Sequence, residues 1–283
     1  MRIGEHVIGV CSWSLGRQST GELLELLNEL GLSHLQIDLR MLDGKSDKEI
    51  VAAAERFEAA GVELTAGMVS FPGEDYRSIA AIRETGGLAQ DSRWTERLAL
   101  LKTSAATARR LGLKLVSTHI GFLPASSGPT YPVMIDRAQK AADVFAEYGL
   151  TLLMETGQEA ASELLQCFND IARPNVGMNF DPANMILYGA GDPVDAVRVL
   201  GRHVKHVHIK DAIASEQPGV LWGQEVPFGS GQVNAMACLD ELRLAGYHGP
   251  LVIERTAGGQ HLDEIKAAIE ILSQLLSPSV QCE

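Results

Sequence analysis

Residues 111–120 read LGLKLVSTHI: a leucine closing a helical stretch, a glycine, then an apolar run too short to be a helix. Glycine suits the left-handed residue that ends a helix, and a β-rich run straight after it is the next strand. The same junction recurs at residues 30–39 (LGLSHLQIDL), 60–69 (AGVELTAGMV) and 148–156 (YGLTLLMET), and less regularly at 245–254 (AGYHGPLVIE). Helix starts carry their own signal. Ser19 with Glu22, and Ser46 with Glu49, have capping-box spacing. Leu262, Ile265, Ile269, Leu272 and Leu276 mark one apolar face of a last helix.

Strand-like runs fall at residues 7–13, 34–39, 62–69, 113–120, 150–155, 175–181, 204–209 and 250–254, with helical segments between them and one more after the last. Strict βα alternation implies a parallel sheet. Eight such units in 283 residues predict an α/β fold, a (β/α)8 TIM barrel in one domain over residues 1–283, for which about 250 residues is typical. The competing fold is an open doubly wound sheet, which usually carries a glycine-rich phosphate turn after its first strand. CSWSLG at residues 11–16 is not GxGxxG. Residues 212–235 are too long for a plain βα loop, and long loops there often cover a site.

The chain is 46% hydrophobic and 21% charged, ordinary for a globular protein with a sizeable core. Its net charge of −12 argues against nucleic acid, whose recognition needs a basic footprint. Cys11, Cys167, Cys238 and Cys282 are far apart and read as free thiols in a reducing compartment. The first residues lack a signal-peptide pattern, and no apolar run approaches the roughly 20 residues of a membrane span. A cytoplasmic protein with no membrane partner is the expectation.

In a barrel strand alternate residues point inward, and catalytic groups sit at the C-terminal ends. TLLMET ends in Glu155, with Thr151 and Leu153 on its face. VGMNFD ends in Asp181, with Asn179 two before it. In HVKHVHIKD the residues His206, His208 and Lys210 share a face, and PLVIER places Glu254 behind Val252. Strands five to eight therefore each end in a metal-capable side chain: Glu155, Asp181, His208 and Glu254. A lone carboxylate at a strand end is usually a helix cap or an ion-pair partner. Four metal-capable side chains on four successive strand ends point instead to a divalent metal ion. Three carboxylates and an imidazole favour Mn²⁺, with Mg²⁺, Co²⁺ or Zn²⁺ as alternatives.

The run METG … NFDPANMILYG … KHVHIKD … LVIERT, with WGQEVPFGSGQV before the last segment, resembles the sugar phosphate isomerase/epimerase family. These are xylose isomerase-like TIM barrels related to ketose 3-epimerases, inosose dehydratase and, more remotely, endonuclease IV. The resemblance covers nearly the whole chain. It implies one metal ion on Glu155, Asp181, His208 and Glu254, and proton transfer beside the carbonyl of a small sugar or sugar phosphate through a metal-stabilised enediolate. Glu155 and Glu254 would act in turn as base and acid. Relatives are often dimers or tetramers, although no interface signature is visible here.

This chain also departs from its relatives. Ketose epimerases carry a histidine three residues after the strand-six aspartate, where Asn184 stands here. They also carry an arginine six residues after the ligand histidine, where Ala214 stands. Lys210 at the pocket mouth, or Arg255, is expected to supply the missing cation. The same enolising site would serve a lyase or dehydratase on a keto-sugar or inosose, which is the alternative activity. Further substrate contacts are expected from His119, Trp13 and Asp38, the last sharing an inward face with Gln36. Tyr76, Arg93 and Trp94 belong to a long loop that shapes the pocket. Glu225 and the Gly229-x-Gly231 turn resemble the family's loop over the site, the glycines making a turn or contacting phosphate. His206 reads as structural. His6, His34, His203, His248 and His261 read as surface or strand-edge residues.

Overall fold

The computed structural model describes residues 1–16, 19–257 and 262–277. His261 and Cys282 lie outside them. Eight parallel strands close on themselves: β1 (His6–Cys11), β2 (His34–Asp38), β3 (Glu63–Val69), β4 (Leu115–Thr118), β5 (Thr151–Glu155), β6 (Val176–Phe180), β7 (Val204–Ile209) and β8 (Leu251–Ile253). Each pairs with its neighbour in sequence, and β8 pairs with β1 to complete the barrel. The two-residue strand Arg2–Ile3 lies antiparallel on β1.

The junction motif does what its chemistry requires. Gly31, Gly61, Gly112, Gly149 and Gly246 have φ between 66° and 77°, the left-handed region that costs other residues steric strain. Both capping boxes form: Ser19 and Ser46 accept from the amides of Glu22 and Glu49, whose carboxylates return to the cap amides. The helices Thr20–Leu30, Asp47–Ala59 and Leu262–Leu276 each bury one apolar face: Leu23, Leu27 and Leu30 in the first, Ile50, Ala53 and Phe57 in the second, and Ile265, Ala268, Ile269 and Leu272 in the third. A fully buried aliphatic side chain contributes about 1.5–3 kcal/mol, so this shell of contacts carries most of the stability.

Two strands stop two residues short of their expected ends. The first stops at Cys11, and residues 12–15 turn as a 3-10 helix that carries Trp13. The fourth stops at Thr118, so His119 follows it rather than belonging to it. His6, read as a surface or strand-edge residue, opens β1 and is buried, with Nδ1 3.0 Å from the Gly249 carbonyl. Cys11, Cys167 and Cys238 are free and buried. No helix among the described residues is long and apolar enough to cross a membrane.

The long connection after β7 folds into a ribbon, Asp211–Ile213 pairing antiparallel with Gln224–Val226. Its organiser is the buried Asp211 carboxylate, which accepts the backbone N–H groups of Ala212, Gly229, Gly231 and Val233. Gly231 has to be glycine, because a methyl group there would lie 2.2 Å from Asp211 Oδ1 and 2.6 Å from the Ala212 carbonyl.

Candidate metal and substrate site

Glu155 ends β5, Asp181 follows β6 as the N-cap of the helix Pro182–Tyr188, His208 is the penultimate residue of β7, and Glu254 follows β8. All four are buried, and each offers a ligand atom within 4.8 Å of the others. The imidazole presents Nδ1 to this group, 3.2 Å from Glu254 Oε2, 3.4 Å from Glu155 Oε1 and 3.6 Å from Asp181 Oδ2. Its other nitrogen, Nε2, is 2.6 Å from Gln36 Oε1. A carbonyl oxygen only accepts, so Gln36 keeps the proton on Nε2, and Nδ1 is the nitrogen that gives up its proton when a cation binds. Three carboxylate oxygens and one imidazole nitrogen on a common centre fit a divalent metal ion.

Layers beneath orient these groups. The register sets Glu155 beside Asn179, and Asn179 beside His206. Asn179 donates from Nδ2 to Glu155 Oε2 (3.0 Å), and its Oδ1 accepts from His206 Nδ1 (2.8 Å). His206 Nε2 then accepts from the Thr65 hydroxyl at 3.1 Å. Burial, reinforced by His208, holds His206 well below the usual histidine range, so it is neutral and works as a spacer. Ser117 adds a hydroxyl to Glu155 Oε2 at 3.3 Å.

The two glutamates are held as carboxylates. Burial pushes Glu155 up, but His119 and His208 outweigh it and hold the group well below the carboxylate range. Burial likewise acts against Glu254, and Lys210, His208 and the Trp13 indole N–H (2.7 Å) hold it down. Asp181, behind them, is raised by burial, which Lys210 only partly offsets.

A cavity of about 770 Å³ opens above this group. Glu155 and Glu254 line it, whereas Asp181 and His208 sit behind the wall. Trp13, Asp38, His119, Asn184 and Lys210 also line it. His119 Nε2 lies 3.6 Å from Glu155 Oε1. The structure corrects several roles. Lys210 does not reach out as a free cation: its ammonium is buried, 3.0 Å from Glu254 Oε2 and from Asn184 Oδ1 and 3.5 Å from Asp181 Oδ2. Asn184 joins it to Glu155, donating to Oε1 at 3.2 Å. Arg255 faces away from the cavity and pairs at 2.6 Å with Glu225 and with Glu264. Glu225 also accepts the amides of Thr256 and Ala257, tying the ribbon to the end of β8. The amides of Gly229 and Gly231 are engaged by Asp211, which leaves no phosphate cradle at that turn. Of the long-loop residues Tyr76 lines the cavity, while Arg93 and Trp94 do not.

Other residues were not signalled by periodicity. Arg40 lines the cavity from a 3-10 turn, clamped to Asp38 through Nε and Nη2. Trp222, from the connection after β7, and Tyr188, at the end of the helix Pro182–Tyr188, meet edge to face at 4.6 Å. Gln36, read as sharing an inward face with Asp38, takes a role the sequence did not signal, as the partner of His208 Nε2.

Two outcomes follow from these contacts. Gln36→Met leaves the buried His208 N–H unpaired and its ring free to reorient. Supporting groups of this kind are worth roughly 10–100-fold in metal affinity, and Mn²⁺ titration calorimetry should show a loss of that size; unchanged affinity would remove Gln36 from the role. Lys210→Met strips a buried cation from Asp181 and Glu254, and breaking a buried pair costs about 3 kcal/mol. Thermal unfolding should show that loss without metal. Mn²⁺ should raise the variant's midpoint by more than wild type's, and equal shifts would refute the counter-charge role.

A closed parallel barrel with four metal-capable side chains at its C-terminal end defines a class of barrel proteins. A family model described as Xylose isomerase-like TIM barrel matches residues 24–275, and the chain belongs to that family. A xylose isomerase domain protein from Planctomyces limnophilus is 33% identical, with 96% of each chain covered and a TM-score of 0.87. An L-ribulose 3-epimerase shares the fold at 17% identity, with 96% of this chain and 94% of that one covered and a TM-score of 0.74. The uncharacterized protein YihM of Escherichia coli (strain K12) is 30% identical over 156 residues. That match covers 53% of this chain and 47% of the relative, so the chain spans about half the length of the curated relative it matches.

Proposed function

We propose that the protein is a divalent-metal-dependent isomerase or epimerase that moves a proton at the carbon beside a sugar's carbonyl. The observation that carries this reading is the convergence of Glu155, Asp181, His208 and Glu254, with only the two glutamates open to the cavity. Those four residues would hold the ion, Mn²⁺ by preference, and the positive charge it brings polarises a neighbouring carbonyl. Glu155 and Glu254 reach the cavity from strands separated by β6 and β7. One takes a proton from the sugar carbon while the other returns one, as general acid–base catalysis requires. Both are held as carboxylates, so either can begin as the base. His119 donates to a substrate oxygen, and Lys210 steadies Glu254 without touching the reacting atoms. The structural likeness to an L-ribulose 3-epimerase fits this reading.

One observation favours a second reading, a lyase or dehydratase on a keto-sugar. Asn184, standing where ketose epimerases have a histidine, is bonded to Lys210 and Glu155 and has little freedom to hold substrate. A panel of ketoses, inososes and keto-sugars in D2O, read by NMR, separates the two. The proposal expects Mn²⁺-dependent deuterium uptake with an otherwise unchanged skeleton. Loss of water or of a leaving group supports elimination, and neither result, in a protein that takes up no divalent ion, would sink both.

A further inference from the structure

The carboxylates occupy one end of the cavity, and the rest of its 770 Å³ is walled differently. Pockets of roughly 300–1,000 Å³ enclose drug-sized ligands, so a single sugar ring leaves much of this one unfilled. Another part of the wall is formed by Met68 at the end of β3, Phe71 just after it, Leu187 and Tyr188 at the end of the helix Pro182–Tyr188, and Trp222 from the connection after β7. This wall is braced by a small apolar cluster separate from the barrel core. Tyr188 packs with Ile79 and Ile82, edge to face with Phe122 at 5.7 Å and with Trp222 at 4.6 Å. Its hydroxyl accepts from Gln158 Nε2 at 3.2 Å. A rigid aromatic face in a partly dry pocket suits the apolar C–H face of a ring.

Charge at the cavity points the same way. Among the described residues, the cations lining it are Lys210, engaged by Glu254 and Asp181, and Arg40, engaged by Asp38. The glycine turn that could have cradled a phosphate is closed by Asp211. A dianion in the cavity would have to compete with Asp38 for Arg40 and with Glu254 and Asp181 for Lys210.

We infer that the outer part of the cavity is a ring-binding subsite, and that the substrate is an uncharged two-ring sugar: a ketose with its carbonyl free and a second ring on a remote hydroxyl. This rests on the function proposed above. The reacting carbons lie against Glu155 and Glu254, and the second ring lies on the Tyr188–Trp222 wall.

Calorimetric titration of the Mn²⁺-loaded protein with lactulose, fructose and fructose 6-phosphate tests it. Lactulose, a disaccharide with a free ketose, should bind at least ten-fold more tightly than fructose, and the phosphate no more tightly than fructose. Trp222→Ala should erase the lactulose preference and leave fructose binding within two-fold. Because that variant removes a wall residue, Leu187→Ala provides an independent and milder loss of the same preference. A tightest-binding phosphate, or lactulose no tighter than fructose, overturns the subsite. Metal content of the same samples separates the two levels. Protein that takes up Mn²⁺ but shows no ring preference refutes the subsite alone, and protein that takes up none refutes the function on which it rests.

Discussion

Glu155→Gln should fold, lose divalent-metal affinity by at least 100-fold and lose deuterium exchange into a ketose substrate by at least 1,000-fold, about 4 kcal/mol of activation free energy. Two effects combine. The amide is neutral and a poor metal ligand, so one of the four converging donors is lost. It also accepts no proton from carbon, and a positioned general base alone is worth about 10²–10⁴-fold. The fold survives because Gln fills nearly the same volume and keeps one acceptor for Ser117 and Asn179 or for Asn184. Its amide nitrogen then faces a donor on one side, which costs about 1–2 kcal/mol of stability. Circular dichroism, Mn²⁺ calorimetry and NMR in D2O read the three terms separately. A variant that binds Mn²⁺ like wild type and still exchanges deuterium would remove Glu155 from both roles. Asp181→Asn offers the contrast. Asp181 sits behind the wall, so its replacement should weaken metal binding, and excess Mn²⁺ should restore exchange more fully than in Glu155→Gln.

The barrel was legible because its signals are local. A left-handed glycine such as Gly112, an N-terminal cap such as Ser46 and period-two alternation such as His206–His208–Lys210 each depend on a few neighbouring residues. The candidate ligands were legible for the same reason, since parallel strands of matched length bring their ends level and spacing along the chain becomes adjacency in space. Pairing was not legible. Lys210 shares the inward face as read, but which carboxylate it meets depends on β6, β8 and the helix that Asp181 caps. Arg255 is adjacent to Glu254, yet it answers to Glu225, thirty residues away across the ribbon. The Gly229 and Gly231 amides looked open because Asp211, far earlier in the chain, had no sequence mark as their acceptor. The aromatic wall was hidden further still. Phe71 and Trp222 come from separate loops and Tyr188 from the end of a short helix, so no single periodicity predicts their shared face.

Glu159 should make the protein less stable as pH rises through neutrality, and Glu159→Gln should abolish that fall. The residue lies beyond β5, is buried, and its Oε1 has no hydrogen-bond partner among the described residues. Burial pushes its carboxyl from 4.5 to about 8, with the Leu123 amide opposing and Glu163 adding. A neutral acid is therefore the form the fold accepts. The folded state holds the proton more tightly than the unfolded chain, so the contribution is complete below pH 4.5. It falls by up to about 1.4 kcal/mol per pH unit while the unfolded chain ionises and the folded one does not. It is gone above pH 8, a total of up to about 5 kcal/mol. Other titrating groups act on both proteins alike, so the difference between variant and wild type isolates Glu159. Guanidinium unfolding at pH 5, 6.5 and 8 should give nearly equal stabilities at the first and a variant several kcal/mol more stable at the last. Parallel curves would mean that Glu159 is ionised in the folded protein and finds a donor there. The loop from His119 to Leu123 carries both the His119 imidazole in the cavity and the amide that faces Glu159. A variant that flattens the pH profile but leaves deuterium exchange intact would show that this buried acid supports the loop without taking part in the chemistry.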